Sequence, residues 1–202
     1  SQKAEKMFEF YELLIEKNKV MNLTSITDLK EITYKHFIDS LSLIKKVDNL
    51  KTKNYKIADL GTGAGFPGIP LAIVFSHLKL TLIDSLNKRI NFIKDVCEDL
   101  EIKNINAIHT RAEDIARDTD YREKFDICVS RAVANLSTLS EYCLPLVKLG
   151  GSFISYKSKG ADVEISEAGK AVKILGGSIV GYEAFELGEY GERILVEIKK
   201  IN

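Results

Sequence analysis

From residue 56 onward, short apolar runs alternate with stretches whose apolar residues recur at helical spacing. This alternation predicts the strand–helix–strand units of a parallel, doubly wound sheet whose crossover helices cover both faces. Gly150-Gly151 is interpreted as the end of a helix before a strand. The predicted elements are strand 56–60, helix 67–75, strand 79–84, helix 87–100, strands 105–109 and 125–130, helix 136–147, strand 151–156 and helix 161–175.

The two ends of the chain complete the predicted fold. Two further apolar runs, 178–187 and 192–200, are separated by a four-residue link with glycine at each end, which predicts a hairpin and hence an antiparallel strand. Helices are expected over 4–18 and 28–46. We therefore predict an α/β fold with a mostly parallel seven-stranded sheet, divided into an N-terminal helical cap, 1–50, and a sheet domain, 51–202.

Composition excludes several classes of protein. The 202 residues suffice for one main core. Because 29 basic and 29 acidic side chains cancel, any surface for a polyanion must arise from local clustering. Three widely separated cysteines fit neither a disulfide framework nor a metal site. The apolar runs are also too short to span a membrane, so we expect a cytoplasmic protein without a metal.

Residues 57–68 lead from a strand through a glycine loop into a helix. Glycines let the backbone turn tightly and leave no Cβ between chain and ligand. Residues 63–68 match the G-x-G-x-x-G pattern of dinucleotide-binding folds, and Asp84 ends the next strand about 20 residues later. The loop thus predicts an adenosine cofactor, and its three alternate glycines are Gly61, Gly63 and Gly65.

Two features favour S-adenosylmethionine over a nicotinamide dinucleotide. Asp59 lies two residues before the loop, where a carboxylate suits a ligand with an ammonium and a sulfonium but would repel a pyrophosphate. The antiparallel closing hairpin is the arrangement of the Rossmann-like class I methyltransferases. We therefore interpret the loop as a cradle for a methyl donor.

Side chains at the carboxyl ends of the strands have predicted roles, because ligands of open α/β sheets bind there. Asp84 is expected to accept hydrogen bonds from the ribose hydroxyls, or else to cap the following helix. Glu113 would accept from the adenine amino group, or else be a solvated surface residue. Arg131 follows the fourth strand, where cofactor and substrate must meet.

Longer motifs resemble the RsmG (GidB) family of ribosomal RNA methyltransferases over nearly the whole chain. These motifs are 59–71, 82–89, 130–132, Asn22-Leu23-Thr24 and His36-Phe37-Ile38-Asp39-Ser40-Leu41. The chain departs from the family pattern at Lys17, Ser158 and Ile194. The resemblance implies methyl transfer from S-adenosylmethionine to N7 of one guanine in the decoding region of 16S rRNA, leaving S-adenosylhomocysteine. It also implies that the cofactor contacts Gly61, Phe66, Ala112, Glu113 and Arg131.

Guanine N7 carries a lone pair and no proton, so its methylation needs no general base and depends mainly on alignment. Arg131 and Lys157 are the candidates for positioning the reactants. The candidate RNA contacts are His36, Lys157, Lys159 and Arg193. The lysines could instead belong to an ordinary solvated loop, and His36 could be a helix residue hydrogen-bonded at a domain seam.

Three other functions stay open on the residues alone. They are a small-molecule methyltransferase, a nicotinamide-dependent oxidoreductase, and a non-catalytic module that binds S-adenosylmethionine. For the RNA methyltransferase, the expected partner is 16S rRNA within a small ribosomal subunit or an assembly intermediate.

Overall fold

A computed structural model describes residues 1–131 and 134–202 of the chain. Within these residues, seven strands form one sheet in the order β3-β2-β1-β4-β5-β7-β6. Strands β1 to β5 run parallel, whereas β7 is antiparallel to both β5 and β6, as the predicted hairpin requires. The strands are β1 Lys56–Leu60, β2 Lys79–Asp84, β3 Ile105–His109, β4 Phe125–Arg131, β5 Val147–Ser158, β6 Gly177–Glu186 and β7 Glu192–Lys200.

Helices cover both faces of the sheet and form the N-terminal segment. The α-helices are α1 Gln2–Met21, α2 Leu29–Ile32, α3 Asp39–Leu41, α4 Gly68–Val74, α5 Asn87–Asp99, α6 Ala112–Ile115, α7 Leu136–Cys143 and α8 Asp162–Ile174. A π-helix over Thr33–Ile38 joins α2 to α3, and 3-10 turns occupy Ser42–Lys45, Leu144–Leu146 and Gly188–Tyr190.

The strands divide their side chains between two hydrophobic clusters because successive residues of a strand point to opposite faces. In β4, Ile127 and Val129 belong to one cluster and Cys128 to the other. The first cluster also contains Phe10 and Phe37 of the cap. The predicted cap therefore shares its core with one face of the sheet.

Two local expectations were wrong. Gly150 and Gly151 lie inside β5 rather than at a helix end, since the helical segment ends earlier, at Leu146. The helix predicted over 28–46 is interrupted by the π-helix, although Asp28 caps its start by accepting from the N–H of Glu31. None of the described helices is long and apolar enough to cross a membrane.

Candidate functional site

The glycine loop lies over the carboxyl ends of β1 and β2. The backbone N–H groups of Gly61 and Thr62 donate to the carbonyl of Ile83 at 2.9 and 3.1 Å. Gly65 adopts a φ of +95°, and a Cβ added there would lie 2.3 Å from Cδ1 of Ile69. Only glycine fits this position without displacing a buried side chain.

Asp59 lies beneath the loop and is fully buried. Its Oδ2 accepts from the hydroxyl of Thr62 at 2.7 Å and from the N–H of Gly68 at 2.9 Å. Burial raises the pKa of this carboxyl to about 7, although these two hydrogen bonds act to lower it. In the structure Asp59 therefore holds the loop to the start of α4, and an additional effect on a cofactor stays a prediction.

Asp84 links the loop to the start of α5. One carboxylate oxygen accepts from the N–H of Gly63 at 2.9 Å and lies 3.3 Å from Nη1 of Arg89, while the other accepts from the N–H of Leu86 at 2.9 Å. Asp84 thus supports the turn before α5 and lines a cavity, although the N-cap of α5, Leu86, has no side-chain cap. Its contact with the ribose hydroxyls stays a prediction.

That cavity, of about 530 Å³, opens at the carboxyl ends of the parallel strands. It brings together four of the predicted cofactor residues, namely Gly61, Asp84, Ala112 and Glu113. Tyr142 of α7 lies beside Glu113, whose charge raises the pKa of the tyrosine phenol. The remaining lining consists of Leu60, Ile83, Ser85, Leu86, Arg89, Thr110, Arg111, Ser130, Ala134, Thr138 and Leu139.

Phe66 and Arg131, two other predicted cofactor residues, do not line this cavity and contact the cap instead. The ring of Phe66 packs 4.6 Å from the ring of His36 and 5.0 Å from the guanidinium carbon of Arg131. Nη1 of Arg131 donates to the carbonyl of Lys35 and to Oδ2 of Asp39, each at 3.1 Å. We call Phe66, His36, Asp39, Arg131 and Arg193 the seam cluster, because they join the cap to the loop and the sheet.

Asp39 is the centre of the seam cluster. Nε of Arg193 approaches its Oδ1 at 3.5 Å, opposite the contact from Arg131. Burial raises the pKa of the Asp39 carboxyl, and the charges of the two arginines act in the other direction. Two guanidiniums therefore compensate the charge of one buried carboxylate. Removing the carboxylate, or leaving it without its arginine partners, would lower the stability of the protein.

His36 lies on the seam, as its alternative reading expected. Its Nε2 lies 3.1 Å from the hydroxyl of Thr24, and its Nδ1 lies near both the carbonyl of Lys35 and Nη2 of Arg131. Burial, with the charge of Arg131, lowers the pKa of His36 to about 4. The imidazole is therefore neutral at pH 7, and a contact with RNA stays a prediction.

The two predicted RNA-contacting lysines lie at the carboxyl end of β5, Lys157 within the strand and Lys159 directly after it. Nζ of Lys157 donates to the carbonyl of Ala134 at 3.0 Å and lies 2.6 Å from Oε1 of Glu164. Lys159 is exposed and makes no ion pair with the residues that the structure describes. Ala132, in the motif at the end of β4, lies outside the described residues.

Sequence reasoning missed the roles of Asp39 and Tyr142. Asp39 lies in a motif that the family resemblance singled out, but its partner Arg131 is 92 positions away in the sequence. Tyr142 faces the cavity from α7, and helical periodicity does not distinguish a cavity-lining residue from an ordinary surface one. Neither residue carried a local signal of its role.

Sequence and fold comparisons place the chain among known proteins. A family model described as GidB, rRNA small subunit methyltransferase G, matches residues 3–191. The chain belongs to this family. Ribosomal RNA small subunit methyltransferase G of Lachnoclostridium phytofermentans is 54% identical over 193 residues, covering 95% of this chain and 79% of the relative. The protein of the same name from Desulforamulus reducens is 50% identical over 194 residues, covering 96% and 80%.

Solved structures with low sequence identity share the fold of this family member. The complex of M. jannaschii TYW2 with AdoMet has a TM-score of 0.61 at 14% identity, covering 81% of this chain and 77% of that one. A SAM dependent methyltransferase from Aquifex aeolicus also has a TM-score of 0.61, at 16% identity and with coverages of 85% and 93%. The predicted class I methyltransferase fold is confirmed, together with the family.

Proposed function

We propose that this protein transfers the methyl group of S-adenosylmethionine to N7 of a guanine in the decoding region of 16S rRNA. Family membership supports the reaction class and the small-subunit rRNA substrate. The structural observation that supports it best is the cavity of about 530 Å³, which joins the glycine loop, Asp84 and Glu113 at one edge of the sheet. A ribosomal substrate also implies a cytoplasmic location.

The residues around the cavity suit an adenosylmethionine. Its volume lies in the range usual for small-molecule sites. Asp84 and Glu113 both line the cavity, where Asp84 would accept from the ribose hydroxyls and Glu113 from the adenine amino group. In its ionised form, the buried carboxyl of Asp59 beneath the loop would favour a cationic methionine portion over a pyrophosphate. These groups favour a methyl donor over a nicotinamide cofactor.

The chain's own residues have mainly a positioning task in this reaction. A cofactor held by the glycine loop, Asp84 and Glu113 would supply a methyl group on a positively charged sulfur, with a neutral thioether as the leaving group. Since guanine N7 has no proton to lose, no side chain has to act as a base. Arg131 fixes the relation of the cap to Phe66 and the loop, so it determines how substrate and cofactor align.

The substrate must enter as an unpaired or extruded guanine, because N7 has to reach the cavity at the strand ends. Lys159 is exposed and suits a first contact with a phosphate. Lys157 and Arg193 are held by Glu164 and Asp39, so RNA has to compete with these carboxylates. A small ribosomal subunit or an assembly intermediate would present the guanine in a fixed position.

The test is methyl transfer from cofactor labelled in the methyl group. The protein is incubated with 16S rRNA, small subunits or a pool of metabolites, and N7-methylguanine is mapped in the RNA. Label at one guanine of 16S rRNA supports the proposal. Label only in small molecules would favour a small-molecule methyltransferase, and tight cofactor binding without transfer would favour a non-catalytic module.

A further inference from the structure

The edge of the sheet opposite the cofactor cavity carries three lysines in a row. Lys56 begins β1 and Lys79 begins β2, and their Cα atoms are direct partners in the parallel register. Lys103 precedes β3, beside the residue whose carbonyl accepts from the N–H of Leu80. All three side chains are exposed. Neighbouring strands lie about 4.8 Å apart, so the row places positive charges at short, regular intervals.

These lysines line one groove, of about 480 Å³, which we call the lysine groove. Its other polar residues are Ser76, His77, Thr81, Asn104 and Asn106, and its lining contains no acidic side chain among the described residues. Within residues 1–131 and 134–202, none of the three lysines forms an ion pair. Like charges on neighbouring strands are destabilising, so the row is not explained by stability.

Beside the lysine groove, an ion pair joins β4 to β5. There Lys148 pairs with Asp126, which also accepts from the backbone N–H of Lys56 at 2.8 Å. Although burial acts to raise the pKa of Asp126, the hydrogen bond and charge of Lys148 and the charge of Lys53 lower it overall. The nearby carboxylate is thus engaged with other groups, and the charges of the lysine groove are left uncompensated in a chain of zero net charge.

We propose that the lysine groove binds the phosphate backbone of a second segment of the rRNA substrate. A concave, acid-free row of lysines attracts a polyanion, and exposed lysines contact phosphates without reading bases. Strand β1 spans five residues, or about 17 Å, so this segment lies well away from the guanine at the other edge. The inference rests on the proposed RNA substrate and extends its contact surface to the opposite side of the sheet.

The test compares two triple variants of the full chain. One combines Lys56→Gln, Lys79→Gln and Lys103→Gln; the control combines Lys94→Gln, Lys170→Gln and Lys173→Gln, which removes the same charge from exposed positions on α5 and α8. The dissociation constant of a 16S rRNA transcript is measured across a salt series. We expect the first variant to bind about tenfold or more weakly near 0.15 M salt and to lose about two to three from the slope of log K against log salt.

Cofactor affinity should be the same in both variants, since neither set touches the cavity. The groove variant should melt at no lower temperature than the control, because it loses neighbouring like charges. A short stem-loop carrying the target guanine should bind the groove variant and the control equally, because it cannot reach both edges. Equal affinities and slopes of the two variants for the long transcript would overturn the proposal. Weakened binding to assembled subunits alone, with naked rRNA unaffected, would also overturn it by indicating a protein occupant.

Binding is measured without methyl transfer, so the result is separate from the proposed function. A wild-type protein that methylates 16S rRNA but whose groove variant behaves like the control contradicts the groove alone. A protein that binds rRNA through the groove and transfers no methyl group contradicts the proposed reaction alone.

Discussion

Replacing Arg131 with alanine is expected to destabilise the protein as well as to reduce methylation. The guanidinium of Arg131 joins Asp39 and the carbonyl of Lys35 in the cap to the ring of Phe66 in the loop. The side chains of Arg131 and Asp39 are only 16% and 3% exposed, so the pair is largely shielded from solvent. The variant would leave a buried carboxylate with only the longer contact to Arg193.

Removing one partner of a buried ion pair costs about 3–5 kcal/mol, and the remaining arginine places this case near the lower end. For a chain of this length, a loss of about 3 kcal/mol lowers the melting temperature by about 6–12 °C. Urea unfolding monitored by circular dichroism measures the difference. Because burial raises the folded-state pKa of Asp39, and losing Arg131 raises it further, the loss of stability should be larger at pH 8 than at pH 5.

The matched comparison is the double variant Arg131→Ala with Asp39→Asn, which removes both charges. Residues in direct contact are coupled, so the free energies lost by the two single variants should not add up. We expect the double variant to lose less than their sum, by about 1 kcal/mol or more. Strictly additive losses, or a loss below about 1 kcal/mol for Arg131→Ala, would refute the reasoning about the seam cluster.

Three further predictions concern the loop, the cavity and the cap. Asp84→Ala should raise the dissociation constant of S-adenosylmethionine about tenfold or more by calorimetry, since charge-assisted hydrogen bonds are lost; the exposed Asp95→Ala is the control, and unaltered affinity would refute the ribose role. Gly65→Ala should lower the free energy of unfolding by about 2 kcal/mol or more, because φ is positive at Gly65 and the added Cβ would meet Ile69. The control in the same unfolding assay is Gly169→Ala on α8, which should stabilise the protein slightly because the Cβ would enter open space. The free energy of unfolding should fall by up to about 3 kcal/mol between pH 6.5 and pH 4, because His36 binds a proton in the unfolded chain but not in the folded one, where its pKa is about 4. His36→Gln should flatten this fall. The same pH profile in the variant as in the wild type would contradict the prediction.

Much of the fold was predictable because its signals are local. Short apolar runs mark the buried parallel strands, and the four-residue link predicts the antiparallel hairpin between β6 and β7. The helix end predicted at Gly150-Gly151 was wrong because glycines end helices and also occur inside strands. The two cases differ only in tertiary context. The π-helix over Thr33–Ile38 keeps the apolar residues at nearly helical spacing, so their pattern does not distinguish it from a continuous α-helix.

Site residues could be predicted from the sequence where they lie at the ends of strands. Contacts between residues far apart in the sequence could not be predicted. Gly61, Asp84 and Glu113 share the cavity because parallel strands bring their carboxyl ends together. Arg131 was expected to face cofactor and substrate, yet its visible contacts run to the cap, through Asp39. The loss of stability expected on removing Arg131 therefore arises from contacts with the cap that the sequence does not show.

The central claim is methyl transfer to guanine N7 without a general base. The most direct measurement uses a small-subunit rRNA transcript in which 7-deazaguanosine replaces guanosine, so that a C–H group stands where N7 was and the Watson–Crick edge is unchanged. We expect label from the methyl donor at one guanine of the normal transcript and none in the substituted one, while both bind the protein with similar affinity. Equal methylation of both transcripts would contradict the account.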